Sequence, residues 1–214
     1  MQTLPLDRLV AKIPDAASLM IGGFMGVGTP ERLIDELVRQ GKRDLTVIAN
    51  DTAMPGRGIG KLITAKLVRK LIASHIGLNP ETQQKMLSGE MEVELVPQGT
   101  LIERIRAAGY GLGGILTPTG VGTVVEQGKR KLEVDGREYL LETPLAADFA
   151  LVEAFLADYL GNLTYALTAR NFNPVIAMAA KTVIVDAEHT VPVGTISPDH
   201  VMTPAPLVDY LVAR

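Results

Sequence analysis

The 214-residue chain contains no cysteine, which excludes disulfides, thiolate nucleophiles and the sulfur-rich zinc sites. Packing alone has to hold the fold together. Basic charge is also in short supply: 21 lysines and arginines face 24 acids, a net charge of −3. They are scattered, so no stripe of the kind that tracks a nucleic-acid backbone is present. No stretch reaches the ~18 uninterrupted apolar residues that a membrane span requires. The opening Met1-Gln-Thr-Leu-Pro-Leu-Asp-Arg8 lacks the basic flank and apolar core of an export signal, and a cytoplasmic chain is expected. The histidines, His75, His189 and His200, never stand at i and i+4, so no metal is expected. No serine occupies a G-x-S-x-G elbow.

Apolar residues make up 47% of the chain and charged ones 21%, the balance of a folded globular protein. At this length one domain over 1–214 suffices for a substantial core. Strand candidates recur at 19–21, 45–49, 70–74, 93–96, 149–153 and 182–185, most of them short continuous apolar runs that read as covered on both faces, as in a parallel sheet. Helical spacing fills 30–40, 80–87 and 99–108. An α/β fold follows: a mainly parallel sheet flanked by helices, joined by right-handed crossovers. Asp135-Gly136 interrupts this alternation between β-prone runs at 131–134 and 137–141, which predicts an antiparallel hairpin excursion. Before it, 109–128 holds seven glycines and reads as a loop long enough to be functional.

The densest local signal lies near the front, where the apolar run ending at Ile21 breaks into Gly22, Gly23, Gly26 and Gly28. Thr29, Pro30 and Glu31 then read as N-cap, N1 and N2 of a helix with an apolar face of Leu33, Ile34, Leu37 and Val38, stopped by Gly41. Such a segment is either a tight strand-to-helix connection or a loop whose bare amides and helix start attract negative charge. Two other glycine motifs fail on context. Gly109-x-Gly111-x-x-Gly114 follows a helix where the dinucleotide fingerprint needs a strand. The run from Pro55 to Leu62 lacks the first glycine and the hydroxyl of a P-loop, leaving Arg57 and Lys61 as either anion contacts or solvated charges. At strand ends, His75 serves either chemistry or a structural hydrogen bond, and Asn50 and Asp51 either line a crevice or cap the next turn.

The pattern Ile-Gly-Gly-Phe-x3-Gly-x-Pro from Ile21 to Pro30 resembles the signature of family I CoA-transferases, in the alpha or A subunit. The likeness continues through Asp44-Leu-Thr-Val-Ile-Ala-Asn-Asp-Thr52, Ile72-Ala-Ser-His-Ile-Gly77, Val96-Pro-Gln-Gly-Thr100, the 111–122 stretch, Gly161-Asn-Leu-Thr-Tyr-Ala166 and Arg170-Asn-Phe-Asn-Pro174. It is nearest the acetate, acetoacetate and 3-oxoacid enzymes. The resemblance implies a CoA-transferase or sugar-phosphate-isomerase-like fold, coenzyme A as substrate with no tightly bound cofactor, and short-chain acids such as acetoacetate, butyrate or succinate. It also implies a beta subunit partner, in a heterodimer or its doubled form, whose Ser-Glu-Asn-Gly glutamate forms the covalent intermediates of a ping-pong transfer. That motif is missing here; Ser88-Gly-Glu90 is its nearest imitation and reads as a surface acid. By the same resemblance, Gly22, Gly23 and Phe24 are backbone oxyanion donors, and together with Met25, Gly26, Val27 and Gly28 they shape the CoA surface. Asn50, His75, Thr117, Thr119, Gly120 and Gly122 line the substrate cleft, while Asn171 and Phe172 orient the cleft or the partner surface. Two other readings keep the architecture: an isomerase-like enzyme with its own acid and base, and a non-catalytic acyl-CoA or organic-acid binding module.

Overall fold

Apolar runs without polar alternation need cover on both sides, and this requirement organises the chain. A computed structural model describes residues 1–213. The main sheet is built from β1 (Gln2–Leu4), β2 (Ser18–Ile21), β3 (Leu45–Asp51), β4 (Val68–His75) and β5 (Glu92–Leu95). A separate three-stranded sheet follows, made of β6 (Ile115–Thr117), β7 (Lys131–Val134) and β8 (Arg137–Glu142). The chain then returns to the main sheet with β9 (Ala147–Asp158), β10 (Leu163–Thr164), β11 (Ala180–Val191) and β12 (Tyr210–Val212). The helices are α1 (Leu6–Ala11), α2 (Glu31–Gln40), α3 (Gly60–Thr64), α4 (Pro80–Leu87), α5 (Gln98–Gly109) and α6 (Asn173–Ile176).

In the main sheet the order is β1-β12-β11-β9-β2-β3-β4-β5, every neighbouring pair parallel, with β10 added antiparallel to β9. Successive side chains point to opposite faces. Leu19, Ile21, Val47, Leu71, Leu151 and Ile184 meet Leu9, Leu33, Leu37 and Leu62 of the first three helices on one side. Met20, Ile48, Ile72, Val152 and Val185 meet Leu101 and Ile105 of α5 and Ile176 of α6 on the other. Each such fully buried side chain stabilises by ~1.5–3 kcal/mol. Strand order reverses between β2 and β9, and in open α/β sheets the crevice beyond the carboxyl ends at such a reversal receives ligands. At the opposite end of this strand pair, Asp148 accepts the amide and hydroxyl of Ser18 at 3.1 and 2.7 Å, and Lys181 donates to it at 2.9 Å. These donors lower its pKa to about 2.

The expected hairpin is present, with Val134 opposite Arg137 across Asp135-Gly136. Strand β6 joins it by pairing antiparallel to β8, so part of the stretch read as a loop is a strand. Its three residues, followed by Pro118, carry too little local pattern to be recognised without the partner strand. Glu142 ties the excursion to the body: its buried carboxylate accepts Lys129 Nζ at 2.5 Å and lies 3.9 Å from Arg104 Nε. Other boundaries shift as well. Pro30, not Thr29, is the N-cap of α2, which starts at Glu31, because the Thr29 side chain is turned inward against Gly23. Strands β9 and β11 run for 12 residues each, well past their predicted ends. Helix α3 lies in the segment read as the P-loop imitation. On it, Lys61 pairs with Glu31 at 2.7 Å and Asp35 at 2.6 Å, so it braces α3 against α2. Among the described residues no helix is long and apolar enough to cross a membrane.

Candidate functional site

The carboxyl ends of β2 to β5 frame an open cleft of about 380 Å³, walled by Phe24, Met25 and Leu78 and floored by polar side chains. Each strand delivers its contribution at its last residues or just beyond, where the chain leaves the sheet. At the end of β3, buried Asn50 accepts Ser74 Oγ at 3.0 Å and Gln98 Nε2 at 2.7 Å on its carboxamide oxygen, and donates to Asp51 at 2.8 Å. Asp51 in turn accepts the Met25 amide at 2.9 Å and the Ala53 amide at 2.7 Å. The floor is therefore a fixed network, and a satisfied buried network rigidifies a site. Exposed His75 ends β4 opposite Asp51, its ring lying over Gly77, where a Cβ would come within 2.7 Å of Cε1.

Above this floor the glycine-rich segment forms a miniature hairpin. Phe24 and Val27 exchange N–H···O bonds of 2.9 Å in both directions, with Met25-Gly26 as the turn. Its side chains remain open to solvent: Phe24 is 45% exposed and Val27 50%. The hairpin is held from behind by the stretch leading into α6. Asn171 accepts the Gly23 amide at 3.1 Å and donates to Val27 O at 2.9 Å. Fully buried Asn173 donates to Gly28 O at 2.9 Å and accepts the Glu153 amide at 3.1 Å. This close backing explains two of the glycines. A Cβ on Gly22 would collide with the Asn173 carboxamide, and one on Gly28, where φ is +78°, would lie 2.6 Å from Ala169 O.

The amides resemblance nominated as oxyanion donors are occupied: Gly22 donates to Leu151 O at 3.1 Å, Gly23 to Asn171, and Phe24 to Val27 O. An amide so engaged serves an oxyanion only after exchanging its bond. Among the described residues, the amides of Gly26 and Gly28 make no hydrogen bond; Gly26 is half-buried at the turn, whereas Gly28 is buried. Asn50 and His75 do line the cleft. Thr117, Thr119 and Gly120 do not. They sit in and just after β6, where Thr117 Oγ1 accepts the Thr119 amide at 3.1 Å and Gly120 packs on Val125, and Gly122 bonds Glu126 locally. Phe172 is buried in the core rather than facing the cleft.

Sequence reasoning missed Gln98 and Ser74 as floor residues and Asn173 as a support. Gln98 had a readable signal, a polar side chain opening a helix directly after a strand and Pro97. Glu153 also escaped notice. It continues the Leu151 side of β9 past the apolar core, with Glu31, Asp186 and Glu188 around it and Arg32 bonded to Asp186 at 2.9 Å. Burial, reinforced by those neighbouring carboxylates, pushes its pKa up to about 7.

A sequence model of the family described as coenzyme A transferase matches residues 4–214. The chain is 59% identical over 198 residues to the acetate CoA-transferase subunit alpha of Escherichia coli (strain K12), covering 92% of this chain and 90% of that protein. It is 54% identical over 206 residues to the acetoacetyl-CoA:acetate/butyrate CoA transferase alpha subunit of Clostridium acetobutylicum, covering 96% and 94%. Among solved structures, an acyl-CoA transferase from Escherichia coli O157:H7, in a thioester complex with CoA, superposes with a TM-score of 0.88 at 27% identity. All of this chain is matched, and it spans 47% of that one.

Proposed function

The chain belongs to the coenzyme A transferase family, and from that premise we propose that its cleft receives the acyl end of a CoA thioester whose attacker is supplied by a second subunit. The chain is the alpha-type half of such an enzyme, and CoA is its substrate. The observation that carries the reading is 59% and 54% identity, over nearly the full length, to proteins named as alpha subunits, joined to a cleft with a glycine hairpin for a wall and a carboxamide floor. The companion carries a Ser-Glu-Asn-Gly glutamate. Its carboxylate attacks the thioester carbonyl and expels CoA thiolate, leaving a mixed anhydride. The thiolate then attacks the glutamyl carbonyl and releases the first acid, leaving an enzyme–CoA thioester. The acceptor carboxylate reverses both steps.

Each attack passes through a tetrahedral oxyanion, for which a preorganised donor contributes ~3–4 kcal/mol. In this reading the bonds of Gly22, Gly23 and Phe24 fix the shape of the loop, the amide of half-buried Gly26 at the turn serves the ligand, and buried Gly28 closes the loop against Asn173. Met25 and Val27 shape the CoA-facing surface around them. Exposed Phe24 and Val27, with Leu167 94% exposed on the backing segment, support a companion chain that completes the wall. The modest cleft suits short-chain acids such as acetate, acetoacetate, butyrate or succinate, and the cellular CoA pool supports a cytoplasmic setting.

The test is reconstitution. The purified chain alone should transfer no CoA; the complex retaining its companion should exchange acetyl-, acetoacetyl-, butyryl- or succinyl-CoA with free acids. Robust turnover by the isolated chain overturns the shared-site reading.

A further inference from the structure

We propose that Asn171 is a positioning residue for the transfer reaction, a latch that holds both limbs of the glycine hairpin at once; the proposal rests on the reading of this loop as the ligand-facing one. A carboxamide has two lone pairs on oxygen and two N–H donors, and here all four are used. The oxygen accepts the amides of Gly23 at 3.1 Å and Phe172 at 2.6 Å. The nitrogen donates to Val27 O at 2.9 Å and Thr168 O at 2.8 Å. Two of these bonds anchor the side chain to its own segment. The other two reach across some 145 residues of sequence to grip the hairpin just before Phe24 and just after Gly26.

The position of those two grips decides the role. Between them lie the Phe24–Val27 bridge and the turn, whose one other hydrogen bond to the body among the described residues is that of Met25 to Asp51. Without the carboxamide, the Gly23 amide and the Val27 carbonyl lose their partners, and between the flanking anchors at Gly22 and Gly28 the turn is held by Asp51 alone. The amide of Gly26, at the tip of the turn, then loses its fixed direction, while Gly28 stays held by Asn173. A misplacement of about an ångström in such donors can cost ~100-fold in rate. No smaller or longer side chain replaces the latch. Asp keeps the acceptor half and sets a carboxylate oxygen against two carbonyls, and Gln moves the amide one methylene too far. Asn173, the neighbouring support, differs in kind. It is fully buried and bonds the β9 backbone at Glu153, so its loss strikes the fold, whereas half-buried Asn171 lies at the surface beside exposed Leu167.

The experiment compares wild type, N171A, N171Q and N173A in the complex with its companion subunit, by steady-state kinetics, thermal melting and amide hydrogen exchange. For N171A and N171Q the expected result is a 10- to 100-fold fall in kcat, a change in KM for acyl-CoA below about threefold, and a melting temperature within a few degrees of wild type. Exchange should accelerate at least tenfold in the 22–28 segment and stay unchanged in β2 and β9. N173A should instead lose melting temperature broadly. Wild-type kcat in folded N171A overturns the proposal, as does accelerated exchange throughout the sheet, which would make Asn171 a fold residue. If the wild-type complex transfers no CoA, the functional reading fails, and the exchange arm still decides whether the latch exists.

Discussion

At the residue scale, Glu153 and Gly22 make opposite demands on their surroundings. Glu153 is held among Glu31, Asp186 and Glu188 with a pKa of about 7, above the ordinary carboxylate value. Between pH 4.5 and 7 the folded chain therefore binds more protons here than the unfolded chain, and stability falls as pH rises through that window. Above pH 7 the penalty is complete. Because the side chain is partly solvated, it amounts to about 1–2 kcal/mol rather than the full linkage value. Glu153→Gln should raise the melting temperature at pH 8 and leave it nearly unchanged at pH 4.5; equal shifts at both pH values would contradict the assignment. Gly22 has no room to spare, since any Cβ meets the Asn173 carboxamide. Overpacking of this kind costs ~1–3 kcal/mol. Gly22→Ala should lower the denaturation midpoint accordingly and displace the loop, with slower turnover even where the variant is folded.

Between elements, short connections decide which charges are functional. Lys61 was open to two readings from sequence, anion contact or solvated charge, and the structure gives a third: a brace from α3 to Glu31 and Asp35 on α2. Burial lowers its pKa, and the bonds to Asp35 and Glu31 more than offset this, leaving it raised. Partly exposed pairs of this type contribute ~0.2–1 kcal/mol each. Lys61→Ala should thus cost about 1 kcal/mol in urea unfolding while leaving KM for acyl-CoA unchanged. A several-fold rise in KM would restore the anion-contact role. The same scale explains why the excursion was half legible. Asp135-Gly136 specifies its own turn, so the β7–β8 hairpin is written locally, whereas β6 exists only because β8 offers an edge to a three-residue segment.

For the molecule as a whole, the reversal of strand order between β2 and β9 gathers the site. It sets the glycine hairpin, after β2, beside the stretch from β9 into α6 that supports it. The ends of β3 and β4 and the start of α5 form the floor on the other side. In the proposed function this cleft is one part of a shared site whose nucleophile comes from the companion. Mixing the chain with its companion should produce activity that rises with companion concentration and saturates at a fixed stoichiometry. Saturation without activity would mark a binding module instead.

Sequence alone determined the class of fold and the glycine loop. Short, mostly apolar runs such as 45–49 and 182–185, separated by helical spacing and turn residues, read as strands covered on both faces, and four glycines between an apolar run and a helix start mark a tight turn. These are properties of neighbours along the chain, where sterics and periodicity act over a few residues. Tertiary structure decided which amides are bonded, which strand ends meet, and that Thr117, Thr119 and Gly120 sit in and just after β6 rather than among the residues around Asn50 and His75. Those outcomes depend on hydrogen bonds between groups far apart in sequence, Asn171 to Gly23 and Gln98 to Asn50 among them, and no local pattern encodes a partner at that distance.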